Sequence, residues 1–79
     1  MEIHASARRH RISDEDMLRA LEHALVVEDL GDDPDRWLVI GPDRAANLLE
    51  VVVLVSWEGR EMIIHAMPLR PIYRRFLER

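Results

Sequence analysis

A nearly unbroken apolar run from Leu48 to Val55 constrains the fold more than any other feature of this chain. Seven of its eight residues are apolar, four of them are valine, and only Glu50 interrupts it. Strands that are apolar at consecutive positions, rather than at alternate ones, are covered on both faces, and β-branched residues favour the extended backbone. The run therefore predicts a central strand that is buried on both sides.

Weaker patterns predict the elements on either side of this strand. Ser13 precedes three acidic residues, which is typical of a helix N-terminus, and apolar residues then recur at helical spacing. Gly59 can adopt the positive φ of a tight hairpin turn, and Pro71 suits the first turn of a helix. The predicted elements are a short helix over residues 5–11, a helix over 14–24, strands over 25–29, 36–40, 48–55 and 61–67, and a closing helix that starts near Pro71.

This order of elements predicts an α+β fold in which residues 1–79 form a single domain. We expect a small, curled antiparallel sheet of three to four strands, with one or two helices before it and one helix after it. A chain of this length buries only about 60–65% of its extended surface, so its stability is marginal and benefits from a partner. The apolar fraction of 48% is still sufficient for a core.

The composition excludes several classes of protein. The chain has no cysteine, which rules out a disulfide framework and a thiolate metal site. It also has no apolar run of about 18 residues and no N-terminal segment with the pattern of a signal peptide. These features predict a cytoplasmic protein.

The net charge of −4 conceals an uneven distribution of charges along the chain. Residues 1–13 hold three arginines and one acid, residues 14–58 hold three arginines and twelve acids, and residues 59–79 hold five arginines and two acids. The two ends are therefore basic and the middle is acidic. If the ends meet in space, they form one positive patch on an acidic body.

The segment from residue 63 to residue 75 carries the candidate functional side chains. Strand alternation places His65 on one face between apolar neighbours. At about 100° per residue on an α-helix, Arg70 and Arg74 flank the apolar arc, and Tyr73 lies at the border between core and solvent. Proton carriers and phosphate-binding cations are the groups that a metal-free ribonuclease needs.

Each of these side chains also has a purely structural interpretation. Tyr73 fits a half-buried core tyrosine, whose ring packs inside while its hydroxyl reaches water. His65 fits equally well a histidine whose hydrogen bonds are satisfied within the sheet. Arg75 and Arg79 fit solvated charges at the C-terminal end of a helix.

Neither a metal nor a cofactor is expected. The acidic residues between 28 and 35 lack the spacing of a calcium-binding loop and are interpreted as a solvated loop. The four histidines lack the spacing of zinc ligands, and the chain has no glycine-rich phosphate or dinucleotide motif.

Three parts of the chain carry short motifs: residues 9–15, then Arg36 with Ile40-Gly41 and residues 49–53, and finally Ile63-Ile64 with Arg74 and Phe76. These motifs resemble those of the BrnT family of type II toxin–antitoxin systems. That family opens with a basic residue, His-Gly-Val-Ser and an acidic helix, which the segment 9–15 matches except that Arg11 replaces the glycine. Its middle part has an Arg, a strand that ends in Ile-Gly and a Leu- and Val-rich strand. The C-terminal part of the family motif has two isoleucines followed by Ser-Ala-Arg, and then a basic helix that contains an aromatic residue. The matching positions here are Arg36, Ile40-Gly41, residues 49–53, Ile63-Ile64, Arg74 and Phe76, and the similarity spans about residues 9–78.

The resemblance implies a RelE-like fold and a bacterial ribonuclease toxin. It also implies a cognate antitoxin, a DNA-binding ribbon-helix-helix protein, which covers the basic surface of the toxin. The expected assembly is either a homodimer or a toxin–antitoxin hetero-oligomer. In the family, the strand before the last helix ends in an Arg that is expected to contact RNA. Met67 stands at that position here, and either Arg70 or His65 is available to take over the role.

The first functional hypothesis is a metal-independent mRNA endoribonuclease. RNA supplies its own nucleophile, the 2′-hydroxyl, and cleavage yields a 2′,3′-cyclic phosphate and a 5′-hydroxyl. His65 or Glu61 is the candidate base, Arg70 and Arg74 stabilise the charged phosphorane, and Tyr73 orients the phosphate or assists the leaving oxygen. The candidate RNA-binding residues are Arg8, Arg9, His10 and Arg11.

Two other hypotheses involve no catalysis. The first is a protein-interaction module that retains the toxin fold without its activity, and the acidic net charge and Met67 favour it. The second is a protein that binds nucleic acid without cleaving it, with a steep dependence of affinity on salt.

Overall fold

The computed structural model describes residues 1–78, which form one curled five-stranded sheet with helical elements on both of its faces. The strands lie in the order β1-β5-β4-β3-β2. All neighbouring pairs from β2 to β5 are antiparallel, whereas β1 is parallel to β5. The strands are β1 (Glu2–Ile3), β2 (Val26–Gly31), β3 (Asp35–Pro42), β4 (Leu48–Val55) and β5 (Glu61–Pro68); the helices are α1 (Asp14–Glu22) and two 3₁₀ helices, Ala5–Arg8 and Pro71–Leu77.

The α+β class is confirmed, but the prediction of three to four antiparallel strands was wrong. The sheet has five strands and is mixed, because Glu2 and Ile3 pair in parallel with Met62 and Ile63 of β5. The backbone N–H of His4 extends this pairing with a 2.9 Å hydrogen bond to the Ile63 carbonyl. Two residues are too few to show the alternation by which a strand is recognised in sequence.

The prediction that residues 48–55 form a central strand, buried on both faces, is confirmed. Val51 and Val53 belong to a core cluster with Met17 and Ala20 of α1. Val52 points to the other face, where its cluster is covered by apolar side chains of the C-terminal 3₁₀ helix. The covering side chains are Tyr73, Phe76 and Leu77.

Helix α1 begins at the predicted residue, Asp14, and ends at Glu22, two residues before the predicted end. The Ser13 hydroxyl accepts a 3.1 Å hydrogen bond from the Asp16 backbone N–H, so Ser13 is the N-cap. The buried side of the helix packs directly on the backbone of β3. A Cβ atom at Gly41 would overlap the carbonyl oxygen of Ala20, so this contact requires glycine.

Both terminal helices are 3₁₀ rather than α-helices, which corrects the geometry assumed for the closing helix. Arg70 is the N-cap of the second helix and Pro71 is its first residue. A 3₁₀ helix turns by about 120° per residue instead of about 100°, so residues three apart are aligned and residues four apart are not. Arg79 lies outside the described residues. None of the helices within residues 1–78 is long and apolar enough to cross a membrane.

Candidate functional site

Glu50, the only charged residue of β4, is the centre of the most tightly bonded group of polar side chains. Its side chain is fully buried. Oε1 accepts hydrogen bonds from the Arg70 backbone N–H at 2.9 Å and from Arg70 Nε at 3.0 Å. Oε2 lies 2.7 Å from Arg70 Nη2 and 2.9 Å from His65 Nε2. The carboxylate therefore joins two of the side chains predicted from the sequence.

The local backbone explains how these three residues meet. Glu50 lies opposite Met67 in the β4–β5 ladder, and His65 lies opposite Val52. After Pro68, which has no N–H, the Leu69 N–H bonds to the Leu48 carbonyl at 3.0 Å and keeps the chain against β4. The next residue, Arg70, is extended (φ −86°, ψ 152°) and turns its guanidinium back onto Glu50.

The protonation states of this group follow from its hydrogen bonds. Burial alone would raise the pKa of Glu50, but hydrogen bonds from the Arg70 side chain, the Arg70 backbone and His65 outweigh that effect and hold the pKa below its usual value. An ionised carboxylate can only accept hydrogen bonds, so His65 donates its Nε2–H to Glu50. The other ring nitrogen, Nδ1, is then the atom of neutral His65 that can take up a proton.

Two more ring side chains complete the site. The His10 ring lies edge-on to the His65 ring, with 5.8 Å between centroids and an interplanar angle of 79°. The guanidinium carbon of Arg70 lies 5.4 Å from the centroid of the Tyr73 ring. The side chains of His65 and Arg70 are 26% and 46% exposed, so solvent reaches the group even though Glu50 is buried.

The N-terminal segment brings His10 to this site through its contacts with β5. The Ser6 hydroxyl donates a 2.7 Å hydrogen bond to the Ile64 carbonyl, which ties the first 3₁₀ helix to the strand that carries His65. Arg8 is bound to Asp14 through Nε at 3.2 Å and Nη2 at 2.9 Å. Of the four predicted RNA-binding residues, Arg9, His10 and Arg11 are exposed, while Arg8 is engaged by a carboxylate.

Two predicted catalytic residues do not join the group. Glu61 is exposed at the other end of β5, opposite Val55, and lies about 13 Å along the strand from His65. Arg74 is exposed within the 3₁₀ helix, whereas Arg70 precedes that helix in an extended conformation, so the two arginines do not share a helical face. The α-helical projection that placed the two arginines on one side does not apply to this helix.

Sequence reasoning did not place Glu50 in the site, although a signal was present. A single acid within a buried, otherwise apolar strand must find hydrogen-bonding or charged partners, because an unpaired buried charge is very costly. The partners lie 15 and 20 residues later in the chain, and this pairing depends on the β4–β5 register.

The acidic residues of the β2–β3 turn form a second cluster, remote in sequence from the first. Asp29, Asp32 and Asp35 each offer a carboxylate oxygen, and these oxygens lie within 4.8 Å of one another. Asp29 and Asp32 are exposed and Asp35 is half-buried; Asp29 belongs to β2 and Asp35 to β3, so that only Asp32 lies in the turn itself, whereas the sequence predicted a loop over this segment.

Comparison with known proteins gives no relative from which a function could be transferred. The sequence matches no protein-family model and no curated protein, and the fold matches no solved structure. The site is therefore interpreted from its own geometry.

The depressed carboxyl pKa values give an expected dependence of stability on pH. The pKa of Glu50 lies below its ordinary value of 4.5, and hydrogen bonds from Arg44 lower that of Asp16 to about 2. The unfolded chain therefore takes up protons before the folded one, so the free energy of unfolding falls as the pH drops below 4.5. In urea titrations across this pH range, we expect the difference in the free energy of unfolding between the wild type and the Glu50→Gln variant to become smaller as the pH falls. A difference in the free energy of unfolding that does not change with pH would contradict a lowered pKa for Glu50. The Glu61→Gln variant is the control, because it removes an exposed carboxyl group.

Proposed function

We propose that this protein is a metal-independent endoribonuclease, a BrnT-like bacterial toxin with a RelE-like fold that acts in the cytoplasm. The observation that carries the proposal is the convergence of a carboxylate-bound histidine, a second histidine and an arginine at one partly exposed site. A nuclease of this type requires two proton carriers and a cation next to the scissile phosphate.

Two features of the backbone support the family assignment. Arg11 has a φ of 62°, a conformation that favours glycine, and glycine is the usual residue of the BrnT motif at this position. Gly41, the glycine of the Ile-Gly pair, packs against the Ala20 carbonyl with no room for a side chain. In both places, the residue typical of the family suits the backbone that this chain adopts.

In the proposed reaction, His65 is the base and His10 is the acid. Nδ1 of His65 takes the proton of the 2′-hydroxyl, and the 2′-oxygen forms a bond to phosphorus. His10 donates a proton to the 5′-oxygen as the bond between phosphorus and that oxygen breaks. The products are a 2′,3′-cyclic phosphate and a 5′-hydroxyl, so that all atoms and protons are accounted for without a metal.

Glu50 acts through His65, as a positioning residue. Its carboxylate fixes the proton of His65 on Nε2 and stabilises the imidazolium that forms when Nδ1 is protonated, as a carboxylate does for the histidine of hydrolytic triads. Glu61, the alternative base in the sequence, is too far along β5 to reach the same phosphate as His65.

Arg70 is proposed to replace the strand-end arginine of the family. Met67 lies opposite Glu50, and the guanidinium of Arg70 returns to this same place through its bonds to Glu50. Those bonds use Nε and Nη2, which leaves Nη1 to donate to a phosphate oxygen. Tyr73 stacks on this guanidinium, and the exposed arginines, Arg9, Arg11 and Arg74, contact the RNA backbone in the proposed complex.

The proposal is tested by cleavage of a synthetic RNA in the presence of EDTA. We expect His65→Asn and His10→Asn each to lower the rate by about 100-fold, the low end of the contribution of a general acid or base. The wild type should show a bell-shaped dependence of rate on pH, and each variant should lose one limb of the bell. His23→Asn, at the exposed C-terminal end of α1, is the matched control and should cleave like the wild type.

A protein-interaction module is the second candidate function, and one observation favours it. The Arg70 guanidinium is already bound to Glu50 through Nε and Nη2, which is the arrangement of a structural ion pair. A protein that binds its cognate antitoxin, a ribbon-helix-helix DNA-binding protein in our proposal, but leaves RNA intact would support this alternative. Retention of RNA binding with a steep salt dependence and no cleavage would instead indicate a nucleic-acid-binding protein without catalysis.

A further inference from the structure

An apolar groove of about 400 Å³ opens between α1 and the sheet, on the face that α1 covers. Val39 and Val53 form its floor, and Trp37 and Val55 line the part toward the β2–β3 turn. Val27 of the edge strand β2 lines one side and is 57% exposed. A large apolar side chain left this exposed next to a groove is typical of a binding surface.

The groove exists because the helical elements are too short to cover the sheet. Helix α1 has nine residues and is about 14 Å long, whereas the eight-residue strands β3 and β4 extend for about 26 Å. The helix packs at the Gly41 end of β3, where Ala20 meets the backbone. The part of these strands that α1 leaves uncovered is about 12 Å long, which is the length of about two turns of an additional helix.

The charged side chains around the groove are acidic, and Met1, whose backbone amino group is cationic, also lines it. Glu61 lines it directly. Asp29 lies opposite Trp37 and Asp35 lies opposite Val55, so both carboxylates stand on the face of the sheet that forms the groove. Asp29 and Asp35 lie close enough to each other and to Asp32 for mutual repulsion. Within the described part of the chain, no arginine or histidine is among the lining residues.

We propose that this groove binds a basic amphipathic helix of a partner protein. Its apolar side chains would cover Val27, Trp37 and Val55, and its lysines or arginines would pair with the surrounding carboxylates. Helix-on-sheet packing is the way in which the rest of this face is already buried. The proposal does not depend on ribonuclease activity, because the groove lies on the face of the sheet that α1 covers, whereas His65 is paired with Val52, whose side chain is on the opposite face.

The test uses three synthetic peptides of about 14 residues, long enough for four helical turns. The first places leucines at helical spacing and lysines elsewhere; the second has glutamate in place of lysine; the third has the composition of the first in scrambled order. Binding is followed by the emission of Trp37 in the Trp57→Phe variant, which has no other tryptophan. We expect only the first peptide to bind well, at least about tenfold more tightly than either control.

Two matched variants locate the binding surface. Val27→Lys and Ile72→Lys both replace an exposed β-branched apolar residue by a cation, at 57% and 65% exposure. Val27 lines the groove, whereas Ile72 belongs to the 3₁₀ helix that covers the other face of the sheet. We expect Val27→Lys to weaken binding of the first peptide by about tenfold and Ile72→Lys to change it by less than about twofold.

Several outcomes would overturn the proposal. Equal affinity for the ordered and the scrambled lysine peptides would indicate unspecific attraction of charge. Stronger binding of the glutamate peptide would contradict the charge complementarity, and equal losses in the two variants would place the binding surface elsewhere. Sedimentation of the wild type as a dimer that Val27→Lys dissociates would assign the groove to a second copy of this chain. Loss of RNA cleavage, by contrast, would bear only on the ribonuclease.

Discussion

Replacing Arg70 with methionine is expected to lower the free energy of unfolding by about 3 kcal/mol. The substitution removes three side-chain hydrogen bonds to Glu50 and leaves a fully buried carboxylate with His65 and one backbone N–H. Breaking a buried ion pair by removing one partner costs about 3–5 kcal/mol. We expect the lower end of that range because the Arg70 side chain is 46% exposed, so water can reach part of the space it leaves.

Urea denaturation at neutral pH provides the measurement, and Arg74→Met provides the control. Arg74 has the same side chain, four residues later within the 3₁₀ helix that Arg70 caps, but is exposed and separate from Glu50, so we expect a change of less than about 0.5 kcal/mol. The double replacement of Glu50 and Arg70 by methionine should recover part of the loss, because no buried charge then remains. A double variant less stable than Arg70→Met would contradict this account.

Replacing Gly41 with alanine is expected to destabilise the fold by about 3 kcal/mol or more. The added Cβ would overlap the backbone carbonyl of Ala20, and a helix backbone cannot move aside as a flexible side chain can. Overpacking of a well-filled core usually costs about 1–3 kcal/mol, and a clash with main-chain atoms belongs at the upper end of that range or above it. Thermal and urea unfolding measure the loss.

Gly59→Ala separates this steric effect from the cost of removing a glycine. Gly59 has a positive φ of 85°, but a Cβ there meets no atom within 4 Å. Its replacement should therefore cost only the conformational strain, about 1–2 kcal/mol. If the two alanine variants were equally stable, α1 would not lie against Gly41 as closely as the structure places it.

Most of the sheet and helix α1 could be predicted because their signals are long and local. The apolar run from Leu48 to Val55 identified the central strand, and Ser13 with its acidic neighbours identified the start of α1. Strand β1 was not predicted, because its two residues are held by hydrogen bonds to a strand some sixty residues later in the sequence. The 3₁₀ geometry of the last helix is likewise not encoded by a periodic pattern, since Pro71 suits the first turn of either kind of helix.

The candidate site was predicted only in part, for the same physical reason. His65 and Arg70 were chosen by residue type, and the structure brings them together on Glu50. Glu50 belongs to another strand, and its position depends on the register of β4 against β5. Arg74 was placed beside Arg70 by an α-helical rotation that the chain does not adopt, and Glu61 lies four residues from His65 along β5, about 13 Å away.

The parallel pairing of β1 with β5, together with the bond from Ser6 to Ile64, ties residues 2–6 to a strand some sixty residues later in the sequence. During synthesis, a nascent chain that has emerged only as far as β4 contains His10 and Glu50 but still lacks His65 and Arg70. His65 and Arg70 can therefore meet Glu50 and His10 only after β5 and the residues that follow it have been synthesised and have paired with β4.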